Sequence, residues 1–163
     1  MLIKKLIKPV ILISAIICGI SIWQTQTSSF LPEINFKTLD GKTIKSSDLQ
    51  GNPLLITFWA PDCPSCIEEI PELISLQEQF KDQGLIIIAV AMHYSPPDQI
   101  VNFIQNRKIP YISVLDPNAE ISKILGNVQL TPTTFIVDRS GKITMQIVGA
   151  FDKNKIINQL NQL

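Results

Sequence analysis

One histidine, three cysteines and no net charge are found in this chain of 163 residues, 14 basic side chains balancing 14 acidic ones. Each shortage excludes something. A structural zinc site takes four ligands, and one closely spaced cysteine pair with a single histidine leaves that set incomplete. Three cysteines are also too few for a disulfide scaffold standing in for a core. Balanced charge supplies no basic field for nucleic acid, so no nucleic-acid partner is expected. With 45% hydrophobic residues, 7 glycines and 11 prolines, the chain is neither disordered nor collagen-like. No internal repeat and no low-complexity stretch is present. Apolar sequence is abundant instead: only 17% of residues are charged and the mean hydropathy is +0.23. The length suits one packed domain and something extra.

The extra part lies at the N-terminus. Lys4, Lys5 and Lys8 are the only charges before Glu33, so residues 33–163 hold 11 basic and 14 acidic groups, a net of −3. Residues 9–23 form a run without a single charge. Lysines on its N-terminal side mark a cytoplasmic flank under the positive-inside rule, and Trp23 suits the far interface. A cleaved secretory signal would share the basic and apolar regions, but no small-x-small cleavage site follows. An uncleaved anchor is short in strict count and is extended by the weakly polar residues 24–29. A lipoprotein site at Cys18 is disfavoured because Ile16 and Ile17 stand where small residues are needed. The reading adopted is one N-terminal transmembrane helix. Residues 1–32 are then a cytoplasmic stub, membrane anchor and tether, and residues 33–163 are an exported domain.

Within that domain, apolar runs and turn signals place strands at 36–39, 42–44, 54–58, 85–91, 111–115, 133–137 and 142–148. Helical spacing places helices at 64–81, 97–107, 118–125 and 153–160. Gly84 and Gly126 end two of them, and Asp152 caps the last. Strands alternating with helices, then a closing hairpin and helix, specify an α/β sandwich.

Cys18 is a small apolar packing residue. Cys63 and Cys66, in Cys-Pro-Ser-Cys, fall where a strand passes into a helix. The first turn of a helix offers unpaired N–H groups and partial positive charge, which favour thiolate over thiol. Pro64 takes the first helical position, where its fixed φ fits and its missing N–H costs nothing. Cys63, the outer residue, is the expected nucleophile, and Cys66 the resolving thiol. Asp62 directly precedes the nucleophile and opposes its ionisation. That effect and the favourable helix terminus are each on the order of 1 kcal/mol, so they nearly cancel.

The chain resembles the thioredoxin superfamily, and within it the membrane-anchored TlpA/ResA/CcmG (DsbE)-like thiol–disulfide oxidoreductases. The likeness runs from about Phe36 to the C-terminus. It rests on Trp59-Ala60-Pro61 before the cysteine pair, Pro71 five residues after Cys66, and Thr131-Pro132-Thr133-Thr134-Phe135. The resemblance implies a three-layer sandwich around a central mixed sheet, a redox-active Cys63–Cys66 disulfide, and a cis Thr131–Pro132 bond lying against it. Trp59, Pro61, Thr131 and Pro132 are then the substrate-binding residues.

Glu69 lies one helical turn beyond Cys66 and is expected to accept its proton; relatives carry glutamate there. Its bland alternative is that Glu68, Glu69 and Glu72 merely complement the helix dipole. Thioredoxin proper has a buried aspartate where this chain has Thr57, so that proton relay does not carry over. The implied function is reduction of protein disulfides, apocytochrome c among them, by a monomer without organic cofactor or metal. A membrane electron donor of the DsbD type would recharge it at the periplasmic side of the bacterial inner membrane. A general oxidase or isomerase fits the same motif. So does a copper-binding assembly module using Cys63, Cys66 and His93, although His93 as a plain surface-loop residue is simpler.

The near-cancellation at Cys63 makes a prediction. Titrating its thiolate absorbance in the reduced protein should give a pKa only modestly depressed, and a value below about 5 would contradict the role given to Asp62.

Overall fold

The computed structural model describes residues 30–163. Strand β1 (Asn35–Lys37) pairs with β2 (Thr43–Lys45) as an antiparallel hairpin across the Asp40-Gly41 turn. Strands β3 (Leu54–Trp59), β4 (Ile86–Ala91), β5 (Ile112–Leu115), β6 (Thr133–Val137) and β7 (Ile143–Val148) form the main sheet. Its order is β5-β4-β3-β6-β7. The first three run parallel and β6 and β7 are antiparallel to their neighbours, so the sheet is mixed.

Helices α1 (Pro64–Phe80), α2 (Pro97–Arg107) and α4 (Lys153–Leu160) contribute to the core on one face, through Leu73, Ile100 and Ile156 among others. On the other face, α3 (Glu120–Ile124) and the β1–β2 hairpin pack with Phe36, Phe58 and Ile121. These are the three layers expected. The anchor expected at residues 9–23 lies outside the described residues, among which no helix is long and apolar enough to cross a membrane.

The centre of the sheet explains the apolar runs. Every residue of β3 is buried, because it is flanked by β4 and β6 and covered on both faces. Helix α1 buries one stripe: Cys66, Glu69, Ile70, Leu73, Leu76 and Phe80. It passes through a short 3₁₀ turn at Lys81–Gln83 and stops at Gly84, whose φ is 79°. That left-handed conformation is what calls for glycine; a Cβ there would meet Asn52 Oδ1 at 2.7 Å, a side-chain end that can move aside.

Three local features depart from the sequence reading. The helix expected at 118–125 is shorter, Glu120–Ile124, and is initiated by a side chain outside it. Buried Asp116 accepts from Ile121 N–H (3.0 Å) and Ser122 N–H (2.9 Å), satisfying two free donors of the first turn. Strand β1 also ends earlier than expected. Thr38 stays in the hairpin, its N–H on the Lys42 carbonyl at 2.9 Å. With Leu39 it also meets β5, through a Thr38–Val114 bridge and a Leu39 N–H bond to the Ser113 carbonyl (3.2 Å). The hairpin thereby covers the exposed edge of β5. A 3₁₀ turn at Ser46–Leu49 was not expected; Ser46 Oγ in it accepts from Ile34 N–H at 2.9 Å and donates to the Pro32 carbonyl at 3.0 Å.

Substituting Asp116→Ala strands two buried N–H groups, and should cost about 2 kcal/mol in urea unfolding. The loss should leave reduction of a disulfide substrate intact under native conditions, because α3 lies on the face opposite α1.

Candidate active site

The site is assembled at the C-terminal end of β3. The last residue pair of β3 with β4 is Trp59–Ala91, and the last with β6 is Phe58–Thr133. Both neighbours therefore deliver their loops to the place where β3 gives way to α1. A turn closed by Cys63 N–H to the Ala60 carbonyl (3.2 Å) carries the half-buried Pro61 and the exposed Asp62.

Cys63 is the N-cap of α1, with extended backbone, and its Sγ accepts from Cys66 N–H at 3.3 Å. A sulfur here takes the place of the oxygen of an ordinary capping residue. Ser65 Oγ lies 3.5 Å from the same sulfur. A disulfide joins Cys63 to Cys66 with Cα atoms 5.3 Å apart. Cys63 remains half-exposed while Cys66 is 3% exposed, so an external sulfur can reach only the first.

Glu69 is not a solvated dipole partner. It is 5% exposed, whereas Glu68 is exposed and Glu72 half-buried. Its Oε1 accepts from Phe151 N–H at 2.8 Å, a bond spanning 82 residues that ties α1 to the connection between β7 and α4. Burial pushes its pKa up from 4.5 to about 7, the Phe151 amide pulls it partly back, and the charge of Glu72 adds to the rise. Glu69 and Cys66 line one small cavity together with Trp59, Thr57 and Tyr111. Thr57 is spent on structure: its Oγ1 accepts from Thr134 Oγ1 at 3.1 Å.

The remaining candidates are placed as follows. Trp59, 6% exposed, packs against Phe103 with ring centroids 5.2 Å apart and planes tilted by 45°, and Arg107 lies over the Phe103 ring. The Thr131–Pro132 bond is cis, and Pro132 stands one step beyond the Phe58–Thr133 pair, level with Trp59. Its carbonyl accepts from Gly149 N–H at 2.8 Å. Among the described residues, Thr131 N–H and C=O have no backbone hydrogen-bond partner. Tyr94, only a rim residue in the sequence reading, places its hydroxyl 3.4 Å from Thr131 Oγ1. His93 is exposed and packs edge-on against Tyr94 at 5.5 Å. Among the described residues no group of three histidine, cysteine or acidic side chains could hold a metal ion, so Cys63, Cys66 and His93 are not gathered into one site. Sequence reasoning missed Tyr111 and Phe151. Neither belongs to a motif, and each meets Glu69 only through the fold.

The raised Glu69 pKa can be read directly. Its carboxyl ¹³C shift should titrate near 7. The folded carboxyl holds its proton more tightly than the unfolded one, so its contribution to stability is full below about 4.5 and declines as pH rises through about 7. Glu69→Gln, which keeps an acceptor for Phe151, should remove about 3 kcal/mol of pH dependence from unfolding measured across that window.

Comparison with known proteins agrees with this geometry. Residues 26–162 match the Redoxin family. Thiol-disulfide oxidoreductase ResA of Bacillus thuringiensis subsp. konkukian is 28% identical over 132 residues, which is 81% of this chain and 75% of that protein. ResA of Bacillus subtilis is 28% identical over 130 residues, 80% of this chain and 72% of that protein. A Chlorobium tepidum structure described as thiol:disulfide interchange protein DsbE superposes with a TM-score of 0.76 at 25% identity, covering 83% of this chain and 95% of that one. With its cysteine pair bonded at the N-terminus of α1 beside a cis-proline loop, the chain belongs to the Redoxin family and is a thioredoxin-like thiol–disulfide oxidoreductase.

Proposed function

We propose that the protein is an exported, membrane-tethered reductant of protein disulfides. The observation that carries the exchange chemistry is the buried Glu69 carboxyl sharing a cavity with Cys66, which serves the exchange in either direction. The reducing direction is supported by the exposed Asp62 beside Cys63, since a less stabilised thiolate makes a more reducing couple. In the reduced protein the Cys63 thiolate attacks a substrate disulfide, forming a mixed disulfide and releasing one substrate thiolate. Cys66 then gives its proton to Glu69 and attacks Cys63 Sγ. The internal disulfide forms, the second substrate thiolate leaves, and two electrons have passed to the substrate. A base with a pKa near 7 is matched to this step at neutral pH. Thr131, beside the cis-proline, pairs with the substrate backbone, and Trp59 and Pro61 form the adjoining surface.

The lysines before residues 9–23 and the charge-free run itself support a single-pass anchor, with the redox domain on the periplasmic side of a bacterial inner membrane. Similarity to thiol–disulfide oxidoreductases supports protein disulfides as the substrate class. Apocytochrome c as the substrate and a DsbD-type membrane donor are what the resemblance to TlpA/ResA/CcmG-like proteins implies. The active unit is a monomer.

Equilibrating the full chain in thiol–disulfide buffers tests the direction. A reduction potential near thioredoxin's, about −270 mV, is expected, and one near about −120 mV would make the protein an oxidant. In parallel, Cys66→Ala should trap substrates on Cys63 as mixed disulfides that a reducing agent releases. Failure to trap any protein disulfide would sink the substrate assignment.

A further inference from the structure

Tyr111 has no role in the steps above, yet its position is singular. Beyond the Cys66–Glu69 cavity, a second depression runs along the edge of β5, between the β1–β2 hairpin (Leu39, Ile44) and Ile104 at the end of α2. It opens to solvent. The inner cavity and this outer groove share one lining residue, Tyr111, which is itself 6% exposed. Trp59, another residue of the inner cavity, has a buried Nε1 without a hydrogen-bond partner among the described residues.

We propose that Tyr111 is a positioning residue that keeps solvent of the edge groove away from Cys66 and Glu69, holding the carboxyl in the dehydrated setting in which it exchanges a proton with the thiol. This rests on the reading of Glu69 as the proton acceptor. The physical cause is desolvation: a carboxylate loses most when water is excluded, and the burial of Glu69 dominates its titration. Of the other groups around it, only Glu72 adds to the rise, and by less than burial does. Glu72 faces it from the same helix, Phe151 gives its N–H from the segment before α4, and β3 and β4 offer Thr57, Trp59 and Ala89, none ionisable near neutrality. Lys153 of α4 is held by Ser75 at 2.8 Å, and Arg107 of α2 lies over Phe103. In the groove, Asp40 and Lys42 pair with each other at 2.7 Å. The phenol itself stays neutral, because burial and the Glu69 charge both raise its pKa.

The experiment is a ¹³C titration of the Glu69 carboxyl in the full-length oxidised protein, assigned with Glu69→Gln, for wild type and for Tyr111→Phe, Tyr111→Leu and Tyr111→Ala. Tyr111→Phe keeps the partition and should leave the midpoint within about 0.3 unit of wild type, while the leucine and alanine variants should lower it by about one unit or more. The pH profile of mixed-disulfide resolution by Cys66, measured with glutathione bound to Cys63, should shift by the same amount. An unmoved midpoint in Tyr111→Leu or Tyr111→Ala overturns the proposal, as does a phenylalanine variant displaced as far as leucine, which would assign the effect to the hydroxyl. In wild type the Trp59 Nε1–H should exchange with D₂O at least about tenfold more slowly than free indole, and equal rates would overturn the partition without any variant. Failure of the base assignment is separately visible: Glu69→Gln would then leave the resolution profile unchanged, while the carboxyl titrations still decide the role of Tyr111.

Discussion

Holding a carboxyl group inside the core, against a cysteine, is the constraint on which the rest of the site depends. Glu69 is on the apolar stripe of α1, 5% exposed, among Cys66, Ile70 and Leu73. Such a group costs stability unless something bonds it, and the bond comes from the far end of the chain, the N–H of Phe151. That N–H is available because β7 has ended and α4 has not yet begun. Asp152, the next residue, caps α4 by accepting from Asn154 and Lys155 N–H. One short segment therefore starts the last helix and satisfies the buried acid, so the packing of α4 and the chemistry of α1 are not separable.

Sheet register supplies the other half of the site. Parallel β4 and antiparallel β6 both reach the C-terminal end of β3, one carrying His93 and Tyr94 outward, the other bringing Thr131 and Pro132 inward. The Tyr94–Thr131 contact closes the rim between them. No loop has to be long to do this. Central β3 is buried along its whole length and fixes both registers by its side-chain alternation, since a slip of one residue would exchange the two faces.

Much of this was legible before any coordinates. Apolar runs marked β3 and β4, and the spacing of α1 and the cap of α4 fell within a residue of the observed elements, because each is specified by local pattern and turn chemistry. The dithiol was legible because two cysteines at a strand–helix junction have few other uses. The ends of the short elements were not. Helix α3 begins where Asp116 reaches forward to two N–H groups, and β1 stops where Thr38 and Leu39 also meet β5; both are tertiary decisions without local signal. Glu69 could be nominated by helical spacing, but its burial could not, since Glu68 and Glu72 read alike on paper. Tyr111 carried no signal at all: an aromatic opening a strand is ordinary until the fold sets it between a cavity and a groove.

The two sulfurs end up in different physical settings although they belong to the same turn. Cys63 sits at the helix cap, half-exposed, with the Cys66 N–H on its sulfur and the exposed Asp62 beside it. The helix terminus favours its thiolate and the neighbouring carboxylate opposes it, both in partly aqueous surroundings. Cys66 is buried, where a free thiolate is disfavoured, and needs a base within the protein to lose its proton. A neutral resolving thiol leaves Cys63 as the only sulfur that can open the reaction. In the proposed cycle, deprotonation by Glu69 during the second step makes Cys66 reactive while the mixed disulfide is in place. The order of the two attacks follows from burial alone, before any property of the substrate is considered.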